Sequence, residues 1–372
     1  MNRRIVLSGT GLVSAYGSGV APYWDGLCSG RGALGPARRF ADAPGYRGEP
    51  VGEVPEFDPR GEPRKSAYAR AALAEAQRSA RLPVLPPGAL VILVGQAPAP
   101  EGGGQLDGEE WELFGPSAEL RPDGAAVLHL SHACASAAFA VALARTALAA
   151  GAAPLVAVVG ASVLNRYEYA SMDVVRAVAR TAARPFDVDR DGISLGEGGG
   201  AVILETADRA RERGLRADLT VAGAACRVGG KLPAASDPGA VTDCLRTALA
   251  EAGADRLDHV HAHATGTAQG DTAELAAVTA IAAELDTPEV PVTSHKGAIG
   301  HLLHISAVPA LAAAALSLRT RIVPPTPGLT TPEPADRVHH PRAETPYPGL
   351  RVAAVNSFGF GGNNATVVLR RD

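Results

Sequence analysis

Aromatic side chains are scarce in this chain: two Trp, seven Tyr and seven Phe among 372 residues. A core of that composition does not close around rings. Alanine and the 42 glycines dominate instead, so layers have to approach closely around small side chains. The same scarcity removes platforms for stacking bases. No Lys/Arg run is present either, and 35 basic against 39 acidic residues leave a formal charge of −4, so a nucleic-acid partner is not expected. Cysteine is sparse. Cys28, Cys134, Cys226 and Cys244 are scattered without CxxC spacing, which argues against a disulfide framework or a structural zinc site. Three of them read as small buried hydrophobes. The longest apolar stretches, 146–163 and 305–318, are interrupted by Gly or Pro or fall short of a bilayer, so no membrane span is expected. Met1-Asn-Arg-Arg leads into a short alternating stretch without an apolar h-region. No signal peptide is therefore expected, and the cytoplasm is the expected location.

What is present suits a globular protein with a sizeable core: 46% hydrophobic and 20% charged residues. The length favours two domains or one duplicated fold. Apolar runs at 4–8, 90–94, 125–130, 155–159, 201–204, 219–222, 260–263, 292–294, 352–355 and 365–369 read as strands. Helical spacing predicts helices from about 23, at 65–81, 137–150, 242–251, 272–285 and 304–317. Gly9-Thr10-Gly11 reads as a turn, and 35–63 and 97–123 as loops. Strands alternating with helices imply a layered α/β fold. Ile5-Val-Leu-Ser-Gly-Thr-Gly is echoed by Leu219-Thr-Val-Ala-Gly-Ala-Ala, a faint sign of duplication.

Four constellations carry chemistry. Cys134, in Ser131-His-Ala-Cys-Ala-Ser, lies between a strand and an apolar helix, where helix N–H groups favour a thiolate. Local context alone leaves open that it merely packs there. His263 ends a strand and precedes a Thr/Gly turn, with Asp271 read as the cap of the next helix and Glu274 as its capping-box partner. His259, His261 and His263 alternate as metal ligands could, but a strand in a sheet centre argues against a metal, and none is expected. Lys296 and His301 flank a Gly-containing turn. Residues 356–364, Asn-Ser-Phe-Gly-Phe-Gly-Gly-Asn-Asn, read as a Gly-rich loop that approaches a ligand and can move. Neither a phosphate loop nor a dinucleotide fingerprint is present, and no cofactor is expected.

The order Cys134, His263, Lys296, His301 and 356–364 resembles that of the β-ketoacyl-acyl carrier protein synthases of the thiolase superfamily. The block 184–200, which includes Glu197 and is mainly structural in that family, extends the likeness along essentially the whole chain. The resemblance implies a thiolase-like duplicated α-β-α-β-α layered fold, with residues 1–215 carrying the cysteine and 216–372 the two histidines and the gate loop. It implies that Cys134 takes an acyl group from the phosphopantetheine arm of an acyl carrier protein. His263 and His301 would stabilise the enolate released from a malonyl unit, and Lys296 would anchor the histidines. The N–H groups of Cys134 and Phe360 would form an oxyanion hole, with Phe358, Gly359, Phe360 and Gly361 as gate. A homodimer, or a heterodimer with a second ketosynthase-like chain, in fatty acid or polyketide synthesis is implied.

Two departures stand out. Where the family carries small residues and then a glutamate after Gly300-His301, this chain reads Leu-Leu-His304-Ile305-Ser-Ala-Val-Pro-Ala310. The stretch 94–132 is shorter than in the family. They keep two other readings in play: a chain-length-factor-like partner subunit, whose kind usually lacks the cysteine retained here, or acyl transfer without condensation.

Overall fold

The computed structural model describes residues 3–39, 41–42, 45–58, 63–95, 125–230 and 235–371. The loop expected at 97–123, and with it most of the shortened 94–132 stretch, lies outside the described residues.

Ten strands of three or more residues appear among the described residues: β1 (Ile5–Ser14), β2 (Leu90–Val94), β3 (Ala126–Leu130), β4 (Leu155–Ser162), β5 (Gly198–Thr206), β6 (Leu219–Val228), β7 (His259–His261), β8 (Val290–Thr293), β9 (Val352–Gly359) and β10 (Asn363–Arg371). They lie side by side in the order β8-β7-β9-β10-β6-β1-β5-β4-β2-β3. The first five strands therefore follow the order 3-2-4-5-1, and the last five, counted from β6, repeat it. Directions repeat too. β2 is parallel to β3 and β4, as β7 is to β8 and β9. β4–β5 and β5–β1 are antiparallel, as are β9–β10 and β10–β6. The two five-stranded units meet through one residue pair, Val6 and Thr220.

Helices α1 (Val20–Cys28), α2 (Arg64–Ser79), α3 (Ser136–Ala150), α4 (Arg166–Val174), α5 (Ala207–Glu212), α6 (Pro238–Glu251), α7 (Ala268–Glu284), α8 (Lys296–Ile299) and α9 (Ala307–Thr320) complete the layers. α2 covers the outer face of the first unit, and α6 and α7 that of the second. α3 and α9 lie between the units and touch strands of both. The alternation of side chains along each strand sorts them between layers. In β4, Val156 and Val158 face the middle helices while Leu155, Ala157 and Val159 face α2. In β9, Ala353 and Val355 face the middle, and Val352 and Ala354 the outer helices. The result is the thiolase-like α-β-α-β-α stack.

The middle layer also accounts for the most apolar segments. Ala133–Ala150 and Leu303–Thr320 have the length and mean hydropathy, 1.6 and 1.3, of a bilayer span, which the sequence reading did not grant them. The second is apolar all round because it is sandwiched between two sheets and 78% of it is buried; 44% of the first is buried, so sandwiching accounts for only part of its apolar length.

The first turn expectation is corrected. Gly9 and Gly11 sit inside β1, which runs on to Ser14. Their lack of a side chain serves packing: a Cβ on Gly9 would lie 2.2 Å from Ala76 O of α2, and one on Gly11 2.0 Å from Ala72 O. The second unit repeats the device. A Cβ on Gly223 of β6 would lie 2.1 Å from Ala248 O of α6. The echo between 5–11 and 219–225 thus marks equivalent strands, each with a glycine under its outer helix. Because the obstructing atoms are helix backbone, Gly9→Ala and Gly223→Ala should each lower unfolding free energy in urea by about 2 kcal/mol or more. Gly35→Ala, with open space around the new methyl, should stay within about 0.5 kcal/mol of the parent. Equal midpoints for all three would disprove close backbone approach as the reason for these glycines.

Candidate active site

Cys134 occupies the turn between β3 and α3. Ser136 shapes that turn: its Oγ accepts from His132 N at 2.8 Å and donates to Ala133 O at 2.6 Å. Ala133 is held at φ +48°, a left-handed conformation uncommon for alanine. The expectation of a favoured thiolate is corrected here. Burial pushes the Cys134 thiol up to about 11, against the opposing pull of the Lys296 ammonium and the cysteine's own N–H. Desolvation outweighs the helix terminus, so the resting group is a thiol.

β7 delivers His263 two residues past its end. The alternating histidines do not share a site. His259 Nε2 lies 3.0 Å from Thr293 Oγ1, and His261 Nε2 lies 2.9 Å from His295 Nδ1. The His263 ring turns instead toward His301 and Phe358, with centroids 5.5 and 5.1 Å away. Among the described residues, no cluster of three metal-binding side chains occurs.

Asp271 and Glu274 are structural, but not as a capping box. α7 begins after Thr267, which places Asp271 inside its first turn. Its carboxylate reaches back to the N–H groups of Thr265 and Gly266 and across to Phe186 N at 2.9 Å. Burial raises the Asp271 carboxyl to about 7. Glu274, fully buried, accepts from His263 N at 2.9 Å, Ala264 N at 2.8 Å and Asn356 Nδ2 at 2.9 Å. It fixes the turn that carries His263.

β8 leads into α8 and then Gly300, whose φ of +77° lets the chain pass 195–196, where a Cβ would meet Leu195 O at 2.6 Å. His301 is bracketed by backbone bonds to the 194–196 segment: its N donates to Ser194 O at 2.8 Å, and Gly196 N donates to its O at 3.1 Å. Its Nδ1 lies 2.7 Å from Ser306 Oγ. Lys296 stands behind His263 and donates from Nζ to His263 O. Burial brings the Lys296 ammonium down to about 8, and the Glu274 carboxylate is the largest influence opposing that fall. The lysine thus has a carboxylate nearby although position 310 is a buried alanine. Burial and the Lys296 charge hold His263 and His301 well below the ordinary histidine range. Both are neutral imidazoles at pH 7.

Residues 356–359, read as loop, are the end of β9. Phe358 is a buried strand residue, and only Phe360, Gly361 and Gly362 form the tip before β10. A Cβ on Gly359 would lie 2.9 Å from Cys134 N, and Ser357 Oγ donates to Cys134 O at 3.1 Å. The hairpin therefore rests on the cysteine turn.

One cavity of about 230 Å³ is walled by Cys134, His263, His301, Phe358, Gly359 and Phe360. Lys296 and Gly361 lie off its walls, the lysine one layer behind. Sequence reasoning missed the part of the wall contributed by Met172, Val175 and Arg176 at and just beyond the end of α4. A signal existed: Asn165 caps α4, accepting from Glu168 N at 2.8 Å, a cap followed three residues later by an acid.

Such a cavity pairs a soft nucleophile with two neutral hydrogen-bond donors in a desolvated space, a combination suited to thioester exchange and to holding an enolate. Comparison with known proteins identifies the family. Residues 123–210 match the beta-ketoacyl synthase N-terminal domain and 219–330 the C-terminal domain. The tetracenomycin polyketide synthase ketoacyl synthase alpha subunit of Streptomyces glaucescens is 31% identical over 423 residues, taking in 99% of this chain and 97% of that protein. A 3-oxoacyl-[acyl-carrier-protein] synthase 2 of Rhizobium meliloti is 37% identical over 194 residues, 51% of this chain and 46% of that protein, so this match spans less than half of the relative's length. The ishigamide ketosynthase/chain length factor superimposes with a TM-score of 0.89 at 27% identity over the full length of both chains. With its cysteine turn, paired imidazoles and hairpin gathered on one cavity of this fold, the chain belongs to the β-ketoacyl synthase family.

Proposed function

We propose that this chain is a condensing β-ketoacyl-acyl carrier protein synthase of type II fatty acid or polyketide synthesis. The observation that carries the reading is the convergence of Cys134, His263, His301 and the Phe360 hairpin on one cavity. Cys134 Sγ attacks the acyl thioester of a carrier protein, the pantetheine sulfur leaves, and the thiol proton passes to it. A malonyl thioester then enters. Its carboxylate departs as CO₂ and leaves the bonding pair in an enolate, whose oxygen accepts hydrogen bonds from His263 and His301. For His301 to donate from Nε2, its Nδ1 has to accept, and the Ser306 hydroxyl 2.7 Å away is the donor this requires. The enolate carbon attacks the acyl carbonyl on Cys134, the oxyanion is held by the N–H groups of Cys134 and Phe360, and collapse expels the cysteine sulfur as a thiolate, which takes a proton from solvent to restore the resting thiol. Lys296, through His263 O, holds the first imidazole in place. Residues 1–215 and 216–372 are the two copies of the duplicated unit.

Neutral imidazoles suit this division of labour, because a neutral donor stabilises an enolate without protonating it. Acyl transfer to Cys134 should therefore persist in His263→Ala and His301→Ala, while decarboxylation of malonyl-carrier protein falls at least ~100-fold. Intact mass reads the first and CO₂ release the second. Cys134→Ala should take no acyl group, and an adduct surviving in it would sink the assignment.

The pH profile follows from the same groups. With the thiol at about 11 and held down by a Lys296 ammonium that titrates at about 8, acylation should climb about tenfold per pH unit near pH 7 and less steeply above about 8, where loss of the lysine charge raises the thiol further. Neither imidazole should contribute an inflection between pH 5 and 7, because both are already deprotonated there; the Asp271 carboxyl, at about 7, is the group in the cavity wall that titrates in that range. A step near pH 6.5 in the single-turnover profile that survives Asp271→Asn would mean that one of the imidazoles titrates.

A heterodimer with a second ketosynthase-like chain is the assembly we favour. β3 ends the sheet among the described residues and is largely exposed along its length, an edge that another strand can extend. Ala310 in place of a carboxylate also gives weight to a second reading, that of a chain-length-factor-like subunit, which the name of the ishigamide neighbour includes. Purified alone, the chain should condense slowly. A stable homodimer turning over at ~1 s⁻¹ or faster would exclude both the partner requirement and the non-condensing role.

A further inference from the structure

One side-chain pair outside the roles above touches both the cysteine turn and the hairpin tip. His132, two residues before Cys134, stacks on Phe139 of α3 with centroids 4.1 Å apart and planes 13° apart. Its Nδ1 lies 3.0 Å from Asn363 Oδ1, and Asn363 Nδ2 donates to Phe360 O at 2.7 Å. A carbonyl only accepts, so the bond to Phe360 fixes which way the amide points. Oδ1 therefore faces His132 and also accepts, which puts a hydrogen on Nδ1. Ring, amide and Phe360 carbonyl thus form one directed chain, anchored at its far end by the stack on α3.

The tip it holds has little rigidity of its own. Gly361 and Gly362 stand at φ +80° and +71°, and glycine crosses between such conformations at low cost. Gly359, immediately before Phe360, already lies against Cys134 N and His132 O. We propose that His132 and Asn363 are positioning residues that hold the Phe360 backbone against Cys134, so that the N–H groups of both residues address one thioester oxygen. The proposal rests on the reading of Cys134 as the acyl acceptor.

The test compares two reactions at the same sulfur in the full-length protein. Acylation by an acyl-carrier protein develops charge on an oxygen that needs both N–H groups. Alkylation by iodoacetamide displaces iodide at carbon and needs neither. In His132→Leu, the saturating acylation rate should fall about fivefold or more, the size of one lost hydrogen bond, with alkylation of Cys134 unchanged. His132→Asn, whose amide nitrogen takes the place of Nδ1, should recover the rate. Asn363→Asp, nearly isosteric but unable to donate to Phe360 O, should slow acylation alone and guards against a misfolded His132→Leu. Unchanged acylation in both disruptive variants, or a parallel fall of acylation and alkylation, would overturn the positioning role while leaving Cys134 as the acceptor. A parent protein that alkylates at Cys134 but takes no acyl group would overturn the reading of the site, and the positioning role with it.

Discussion

The geometry of the site hangs on one buried carboxylate. Glu274 has no exposed surface, yet it accepts from two successive backbone N–H groups at 263–264 and from the Asn356 side chain, whose own oxygen accepts from Thr366 Oγ1 at 2.8 Å. Burying an ionised carboxylate without partners is prohibitive. Its protein partners and the nearby Lys296 ammonium offset that cost, although burial still raises the Glu274 carboxyl above its usual range. The consequence is geometric: α7, the His263 turn, β9 and β10 are tied to one atom pair. The lysine behind His263 is part of the same arrangement, so the histidine is fixed through its backbone from two sides while its ring stays with the cavity.

Duplication explains why the parts arrive together. Cys134 follows β3, the third strand of its unit, and enters α3. Lys296 and His301 follow β8, the third strand of the other unit, and lead into α9. α3 and α9 are the two helices of the middle layer, so the equivalent turns of the two units are brought beside each other. Only a chain rich in glycine and alanine can stack five layers this tightly. The glycines at 9, 11 and 223 let the outer helices lie on the strands, and those at 196 and 300 let backbone cross backbone beside His301, where added Cβ atoms would come within 2.2 and 2.6 Å of carbonyl oxygens.

Much of this was legible before the structure. Strands buried on both faces read as apolar runs, so the element series followed from pattern, and the motif residues Cys134, His263, His301, Phe358, Gly359 and Phe360 line one cavity while Lys296 and Gly361 lie off its walls. What was not legible depends on tertiary contact. Gly9-Thr-Gly11 looks like a turn because local rules cannot see α2 lying on β1. Phe358 looks like part of a loop because nothing local says that β9 extends to Gly359 against Asn363. Asp271 looks like a helix cap because its true partners, at 186 and 265–266, are set by how the 184–200 block folds over the His263 turn. The role of His132 was invisible for the same reason: its partner is 231 residues away.

The protonation of Cys134 was misjudged by sequence for a more instructive reason. A helix terminus is worth at most about 2 kcal/mol in favour of an anion, whereas burial among protein atoms, even for a residue as partly exposed as Cys134, outweighs that by loss of hydration. The same enclosure keeps His263 and His301 neutral and brings Lys296 down to about 8. A thiolate-imidazolium pair at rest would serve acyl transfer well and enolate chemistry badly, since an imidazolium would quench the carbanion before it reached the acyl group. In the proposed reaction, desolvation gives up nucleophilicity in the first half-reaction and preserves unprotonated donors for the second. On the proposed reading, the electrostatics of the cavity match the demands of carbon–carbon bond formation, and the cysteine works within them.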